Sequence, residues 1–364
     1  MKMIDCHYHN RYWSTHGECY LETQRKYREQ VGIETINVLC APGIENDSPN
    51  GGAGQNIMAA ILKTQDETVY AQGGLIYPWS WETNPDSTEY DLKTQVQEMM
   101  EVGFDGVKMM ESKPDTYKKL LYRIDSDYYK EFFEYLEEQH IPLLWHVADP
   151  EDFWDPEKVP ENAKEHGWFY GDGTYPSREQ VYQEVYNILG RHHKIKLVLA
   201  HCFFLSRYPE QIKKLLNTYE NVCIDLTPGT EMFLDFSANR EVWKEIFEKY
   251  YNRFMFGTDV ESSYSLAFKQ SKVENIVRFF TTGDEFQAFG GIVRGLALDQ
   301  EKCEYIFGRS FRMFMGGAPK KIDAEALKSY IVRHAKHIPE GETKDMILQY
   351  CMERWNVFEC GKSG

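Results

Sequence analysis

Eight short apolar runs, rich in β-branched residues, recur along this chain, and most are followed by a stretch with helical periodicity. Strands that are buried on both faces read as continuous apolar runs, and eight β-α units close a parallel barrel. The pattern therefore predicts an α/β fold, a TIM (β/α)8 barrel. The predicted strands are residues 3–6, 35–39, 69–76, 106–110, 142–145, 196–200, 222–226 and 254–257.

A doubly wound open sheet is the alternative, but the first strand leads into His7-Tyr8-His9, where a nucleotide-binding sheet would show glycines. A barrel needs about 250 residues, which leaves room for additions to a chain of 364. We predict a catalytic barrel over residues 1–316 and a helical C-terminal extension, packed on the barrel, over 317–364. Residues 149–176, rich in aromatic and acidic side chains, follow the fifth strand and form a candidate lid.

The charge and the cysteines of the chain exclude several classes of function. A formal net charge of -16 argues against nucleic acid or an anionic membrane surface as a partner, since both favour a basic face. No run of about 18 apolar residues is present, and the N-terminus lacks the pattern of a secretory signal. The eight cysteines are scattered without close pairs, which indicates reduced thiols. We expect an acidic, cytoplasmic enzyme with a small-molecule substrate.

Polar side chains end four of the eight apolar runs. His7 and His9 end the first, His146 the fifth and His201 the sixth, and Asp259 follows the eighth. Polar residues at the C-terminal ends of barrel strands are typical of catalytic sites, because the loops there build the active site. Buried polar groups also need partners, so packing alone does not explain four strands that carry them toward one axis.

These residue types suit a metal ion. Imidazole nitrogens with a carboxylate bind zinc or another divalent first-row metal such as manganese, so we predict one ion held by His7, His9, His146 and Asp259. His201 then remains as a general acid or base, a role in which Asp259 can share. Residues two apart in a strand face the same side, so Asp5 would face inward and orient a ligand from behind.

The order of these motifs resembles the amidohydrolase superfamily, and more narrowly its amidohydrolase-related (amidohydrolase 2) group. The likeness covers about residues 1–316 and implies a mononuclear metal-dependent barrel enzyme. The family's two strand-one ligands fall on His7 and His9, and its strand-five ligand falls on His146. Its strand-six histidine and strand-eight aspartate fall on His201 and Asp259. Residues 305–310 resemble a segment in which many members carry Gly-Asn-Ala, but this chain has Arg-Ser in place of Asn-Ala.

Four further cationic and aromatic residues are candidate site residues. Lys108, on the fourth predicted strand, has three candidate roles. It could be a carbamylated bridge between two metals, as in binuclear members of the superfamily. It could instead contact a substrate anion or a metal ligand, or form a structural ion pair. Arg11 and Trp13 follow the first metal motif and are candidate substrate contacts. Arg178 follows the aromatic insertion and is a candidate carboxylate clamp.

The resemblance implies a hydrolase that cleaves a lactone, ester or amide bond through metal-activated water, in a small carboxylated cyclic or aromatic substrate. Non-oxidative decarboxylation of an aromatic or muconate-like acid is the alternative, with the same residues used differently. A third hypothesis is a non-catalytic binding protein that keeps the barrel for its ligand pocket. By analogy with other barrel enzymes, a homodimer is an expected assembly.

Overall fold

The structure is a computed structural model and describes residues 2–15, 18–44, 52–78, 91–229 and 231–355. Its strands are β1 Met3–His9, β2 Ser14–Thr15, β3 Glu18–Cys19, β4 Ile33–Leu39, β5 Gly43–Ile44, β6 Tyr70–Gly74, β7 Ile76–Tyr77, β8 Gly106–Ser112, β9 Leu143–Val147, β10 Leu197–Leu199, β11 Val222–Asp225, β12 Phe254–Met255, β13 Val260–Glu261, β14 Glu285–Ala288 and β15 Gly291–Arg294. Its α-helices are α1 Tyr20–Val31, α2 Ala53–Gln65, α3 Leu92–Val102, α4 Pro114–Tyr117, α5 Lys130–Glu138, α6 Glu161–Glu165, α7 Arg178–Arg191, α8 Pro209–Thr218, α9 Met232–Ala238, α10 Arg240–Tyr250, α11 Leu266–Thr281, α12 Gln300–Glu304, α13 Ser310–Met315, α14 Ala324–His334 and α15 Glu342–Trp355.

Nine of the strands form one parallel sheet, in the order β12-β11-β10-β9-β8-β6-β4-β1-β13. The two strands at its ends, β12 and β13, are consecutive parts of one chain segment, and the backbone N–H of Cys6 donates to the carbonyl of Phe256 between them, at 3.0 Å. The sheet therefore closes on itself as an eight-stranded barrel whose last strand is interrupted. All eight predicted strands are present, and the predicted TIM-barrel fold class is confirmed.

The lower half of the barrel interior is apolar. Side chains from several strands pack there in one cluster, and Phe311 and Phe314 of α13 cover its N-terminal end. The strand residues include Ile4, Leu144, Val198 and Met255. Toward the carboxyl ends of the strands, the polar side chains of His7, Lys108 and Asp225 lie close together. The N-terminal end of the barrel is thus filled by apolar side chains, and the polar side chains lie at the carboxyl ends of the strands, where barrel enzymes have their active sites.

The two ends of helix α3 are determined by the residues that flank it. The side chain of Asp91 accepts a hydrogen bond from the backbone N–H of Thr94 and caps the first turn. Gly103 ends the helix at φ 108°, a conformation that other residues rarely adopt. A Cβ on Gly103 would lie 2.2 Å from the carbonyl oxygen of Lys321, so only glycine allows the chain after the barrel to pass this closely.

The segment after the barrel is helical and packs against α2 and α3. His334 of α14 lies 2.7 Å from Glu98 of α3, and the side-chain amide of Asn56 donates to the hydroxyl of Tyr330. Helix α15 places Tyr350 against Trp13, with ring centres 5.2 Å apart. None of the helices in the described ranges combines the length and apolar character that a membrane crossing requires.

We expect Lys63→Met to destabilise the barrel by about 3–5 kcal/mol, the usual cost of removing one partner of a buried ion pair. Lys63 of α2 is buried and bonds Asp105, which also accepts from the backbone N–H groups of Ala71 and Lys320. Methionine would leave the Asp105 carboxylate buried without its cation. Urea unfolding followed by circular dichroism measures the change in the free energy of unfolding.

The matched control is Lys158→Met, which removes an exposed cation that lies 2.8 Å from Asp155. We expect this variant to unfold with the native protein, because exposed ion pairs contribute little. Equal stability of the Lys63 variant and the native protein would show that the buried pair is dispensable.

Candidate metal centre

Three ligand atoms from the first and last barrel strands converge at the carboxyl end of the barrel. The Nε2 atoms of His7 and His9 lie 3.1 Å apart, and Oδ1 of Asp259 lies 3.6 Å from the first and 3.3 Å from the second. Tetrahedral ligands at zinc–nitrogen bond lengths would be separated by about 3.3 Å. Two imidazoles and a carboxylate at this spacing therefore fit one divalent ion.

The other ring nitrogen of each imidazole is held from behind. Nδ1 of His7 lies 2.6 Å from Oδ2 of Asp225 at the end of β11, and Nδ1 of His9 lies 3.0 Å from the carbonyl oxygen of Leu39. Both partners are acceptors, so each Nδ1 carries the proton and each Nε2 presents its lone pair to the centre. This second layer is the arrangement that orients histidine ligands in metal sites.

The charge states also suit a metal. Burial, together with the positive charge of Lys108, lowers the pKa of His7 to about 4, so the ring is neutral at neutral pH. Burial alone would raise the pKa of Asp259, but the hydrogen bond with His9 and the neighbouring imidazoles hold it well below its usual range. A neutral imidazole and an ionised carboxylate are the forms that bind metals.

His146, the fourth predicted ligand, is not in the group of ligand atoms that lie within 4.8 Å of one another, which consists of His7, His9 and Asp259, and its ring is held differently. Its Nε2 lies 3.0 Å from the carbonyl oxygen of Ala148 and 3.3 Å from Oδ1 of Asp149. Nδ1 is therefore the ring nitrogen that remains for a metal. Asp149 in turn accepts from Lys113 at 2.9 Å and from the hydroxyl of Tyr170 at 2.6 Å, which connects His146 to the insertion after β9.

His201 lies next to His146 and His7, with ring centres 4.7 and 5.2 Å away. It begins a left-handed turn in which residues 201–204 all have φ between 48° and 56°, which is rare for residues other than glycine. Its Nδ1 lies 3.3 Å from the carbonyl oxygen of Thr227, and its backbone N–H donates to Asp225. Burial and the nearby His146 lower the pKa of His201 to about 3, so this ring is also neutral at neutral pH.

A cavity of about 1100 Å³ opens above these residues. His7, His9, His146, His201 and Asp259 form its floor. Its walls come from the insertion after β9, from α11, and from the turn between β14 and β15. Apolar and aromatic wall residues are Phe153, Trp168, Phe204, Leu234, Phe268 and Phe289. The cavity is large enough for a ring-containing molecule that reaches the floor.

Comparison with known families agrees with this architecture. The family model described as Amidohydrolase matches residues 52–285, more than half of the chain. The chain belongs to the amidohydrolase family. This family consists of enzymes, and its members are metal-dependent barrels. The resemblance that the motifs suggested is thereby confirmed.

Solved structures similar to this amidohydrolase share its fold at low identity. An uncharacterised TIM-barrel protein from Bordetella bronchiseptica is 12% identical, with a TM-score of 0.55 over 87% of this chain and 99% of its own. A dihydroxybenzoic acid decarboxylase from Polaromonas sp. JS666, solved with manganese, is 13% identical, with a TM-score of 0.51 over 86% and 97%. A 4-oxalomesaconate hydratase from Rhodopseudomonas palustris is 12% identical, with a TM-score of 0.52 over 86% and 95%. Comparison with curated protein sequences finds no match.

Asp5 does not share a face with the two histidines of this amidohydrolase, contrary to our expectation. A register shift between β1 and β4 falls between Asp5 and Tyr8, so the alternation of side chains is interrupted there. The carboxylate accepts from the hydroxyl of Tyr27 on α1, from the hydroxyl and backbone N–H of Thr258, and from the backbone N–H of His7. Asp5 thus reaches a ligand through its main chain and joins the first and last strands.

Lys108 lies close to the metal centre. It is fully buried, and its Nζ is 3.5 Å from Nε2 of His7. Burial lowers the pKa of this lysine to about 8, although nearby carboxylates, Asp225 and Asp259 first among them, favour its charged form. This position agrees with a contact between Lys108 and the proposed ligand His7. The three roles given for Lys108 from the sequence remain predictions.

The three remaining predicted contacts lie in different places. Arg11 lines the cavity and forms an ion pair with Glu261 at 2.5 Å. Trp13 is buried against Tyr350 of α15 and is not among the residues that line this cavity. Arg178 stacks over Tyr182, with its guanidinium carbon 4.8 Å from the ring centre. It also donates to the carbonyl of Phe204 and lies 3.9 Å from a carboxylate oxygen of Glu151.

Sequence reasoning missed Asp225 and Asp149. Asp225 lies in the seventh predicted strand, where it is the one acidic residue of an apolar run, and that contrast is the signal that could have identified it. Asp149 follows His146 by three residues, directly after a strand. Both carboxylates bond a predicted site histidine in the structure.

We expect Asp225→Asn to weaken metal binding by about 10- to 100-fold, the usual effect of losing a carboxylate behind a histidine ligand. The amide is uncharged and a weaker acceptor for the Nδ1 proton of His7. Titration of metal-free protein with zinc against a competing chelator measures the affinity. Asp235→Asn is the control, since Asp235 bonds Ser206 and Arg207 instead of a site histidine. Equal zinc affinity in the Asp225 variant and the native protein would contradict the assignment.

Proposed function

We propose that this protein is a metal-dependent hydrolase that cleaves a lactone, ester or amide bond in a small, carboxylated cyclic or aromatic substrate. The observation that carries the proposal is the convergence of His7, His9 and Asp259 at the floor of a cavity that also exposes His201. The family membership supports an enzyme of this class.

Zinc is the proposed ion, with manganese as the alternative. Imidazole and carboxylate ligands suit both, and the Polaromonas decarboxylase of similar fold was solved with manganese. When bound, either ion supplies an activated water and polarises a carbonyl oxygen. His7, His9 and Asp259 would hold the ion, with His146 as a fourth ligand through Nδ1.

The chain's own residues then manage the proton. His201 is neutral at neutral pH, so it can accept the proton that water loses when it attacks a carbonyl carbon. Its backbone is held by Asp225, the residue that also orients His7. One carboxylate thus sets the geometry of the proposed base and of a proposed ligand together.

The walls indicate the shape of the substrate. Phe204 stacks on His201 with ring centres 5.1 Å apart, and Trp168 and Phe153 stack on each other in the insertion above. Aromatic walls favour a flat, partly apolar substrate over a flexible or heavily hydroxylated one. The predicted lid role of residues 149–176 agrees with their position over the cavity and remains part of the proposal.

Non-oxidative decarboxylation is the second candidate, favoured by the fold similarity to the dihydroxybenzoic acid decarboxylase. In that reaction a ring carbon must gain a proton as the carboxylate leaves as carbon dioxide. Either His201 or metal-bound water would supply that proton. For His201 the imidazolium form is disfavoured by burial until a substrate anion lies beside it. Hydrolysis uses the neutral form that the free protein already has.

A substrate panel separates the two reactions. Zinc- and manganese-loaded protein is incubated with aromatic and cyclic lactones, esters and amides that carry a carboxylate, and with hydroxybenzoic acids. We expect acid release from a member of the first group. Release of carbon dioxide from hydroxybenzoic acids without any hydrolysis would establish the second candidate and overturn the first. Binding without turnover in either group would favour a binding protein.

A further inference from the structure

Helix α11 forms one wall of the cavity with a single face. Phe268, Ser271, Lys272 and Asn275 all line the cavity, and their spacing of three, four and seven residues places them along one side of the helix. The face therefore presents an ammonium, a hydroxyl and an amide group to the space above the metal centre. All three can donate hydrogen bonds to an anion.

Lys272 differs from the other cations that line the cavity. Arg11 pairs with Glu261, and Lys113 lies 2.9 Å from Asp149. Within the described ranges, no carboxylate oxygen lies within 4.0 Å of Nζ of Lys272, and its ammonium lies 5.9 Å from the centre of the Phe268 ring. The cavity wall thus holds one lysine without a described counter-ion.

This lysine is also half-buried. Burial lowers its pKa, and the more distant charges of Asp259 and Asp5 only partly oppose that effect. A half-buried ammonium without a close carboxylate is stabilised by an anion that binds beside it. The environment therefore favours a negatively charged ligand group on this wall.

We propose that Lys272, assisted by Ser271 and Asn275, forms a subsite for a carboxylate of a cyclic or aromatic carboxylic acid. The rest of the ligand extends toward His7, His9 and Asp259, so the reacting bond and the recognised anion lie at different ends of the substrate. The choice of ligand class rests on the proposed function, and the subsite itself rests on the α11 face.

Two matched ligands test the subsite by calorimetry on zinc-loaded protein. Isophthalate carries two carboxylates on one ring, and isophthalamide replaces both of them with neutral amides. We expect Lys272→Met to weaken isophthalate binding by about 10- to 100-fold, as for the loss of a charge-assisted hydrogen bond. The same change should alter isophthalamide binding by less than about threefold, and Lys272→Arg should retain most of the isophthalate affinity.

Lys214→Met is the control, because Lys214 is an exposed lysine of α8 outside the residues that line the cavity. We expect it to bind both ligands as the native protein does. Three results would overturn the proposal: unchanged isophthalate affinity in Lys272→Met, an equal loss for both ligands, or native protein that does not prefer isophthalate. If Lys272→Met loses isophthalate selectively while the substrate panel shows no turnover, the subsite stands and the proposed reaction fails.

Discussion

Asp259→Asn is expected to abolish turnover, with a loss of at least about 10²- to 10⁴-fold, because the substitution removes the one charged ligand of the proposed centre and a candidate proton acceptor. Asn has nearly the same shape, so the barrel should remain folded. The measurement is the steady-state rate on the substrate found in the panel, at saturating zinc. Metal content is measured on the same samples, since a neutral ligand also binds the ion less tightly.

Asp284→Asn is the control for this substitution. Asp284 is exposed, pairs with Arg278 and is not among the residues that line the cavity, so its loss should leave the rate unchanged. Native turnover in the Asp259 variant would remove Asp259 from the chemistry. Retained ligand binding without any turnover in the native protein would instead favour the binding-protein hypothesis.

His201→Asn is expected to lower turnover by about 10²- to 10⁴-fold while the metal stays bound, because a proposed base is lost and the His7, His9 and Asp259 ligands are retained. Elemental analysis and the steady-state rate, taken on one preparation, measure the two effects separately. The pH profile provides a further readout, since the ionisation of the proposed base should disappear from the variant.

His193→Asn is the matched control, because His193 is exposed at the end of α7 and outside the residues that line the cavity. It should keep both the metal and the rate. Loss of metal in the His201 variant would show that this histidine is a ligand. An unchanged rate would show that the proton is managed elsewhere.

The strands and the residues at their ends were predictable because both signals are local. A buried parallel strand reads as an apolar run, and a histidine or aspartate at its end stands out against that run. His7, His9 and Asp259 come together because β1 and the interrupted last strand are neighbours in the closed sheet. The order of eight strands implies that adjacency once a barrel is assumed.

The partners behind the ligands depended on geometry that the sequence does not express. Asp225 reaches His7 across 218 positions of sequence, and no spacing rule links the two. The position of Asp5 was wrong because a register shift in β1 reverses the alternation that the prediction used. The contact between His146 and Asp149 depends on the turn at Ala148. Ala148 has a φ of 62°, and because the residue is not a glycine the sequence does not indicate this turn.

The substrate contacts were the least predictable part. Arg11 and Arg178 were chosen for their places next to motifs, but both cations already have carboxylate neighbours in the structure. Lys272 belongs to none of the motifs that the sequence shows, and its place at the cavity wall depends on how α11 packs in the fold. Side chains that line a cavity depend on which helix faces the barrel mouth, which is a tertiary property.

Metal content per chain tests the central claim most directly. Protein purified without a metal-affinity tag is analysed for zinc and manganese by elemental analysis, before and after reconstitution. We expect about one ion per chain, and less in a variant that carries both His7→Ala and His9→Ala. Two ions per chain would contradict the mononuclear centre and indicate Lys108 as a bridging ligand. No bound ion after reconstitution would contradict the metal centre itself.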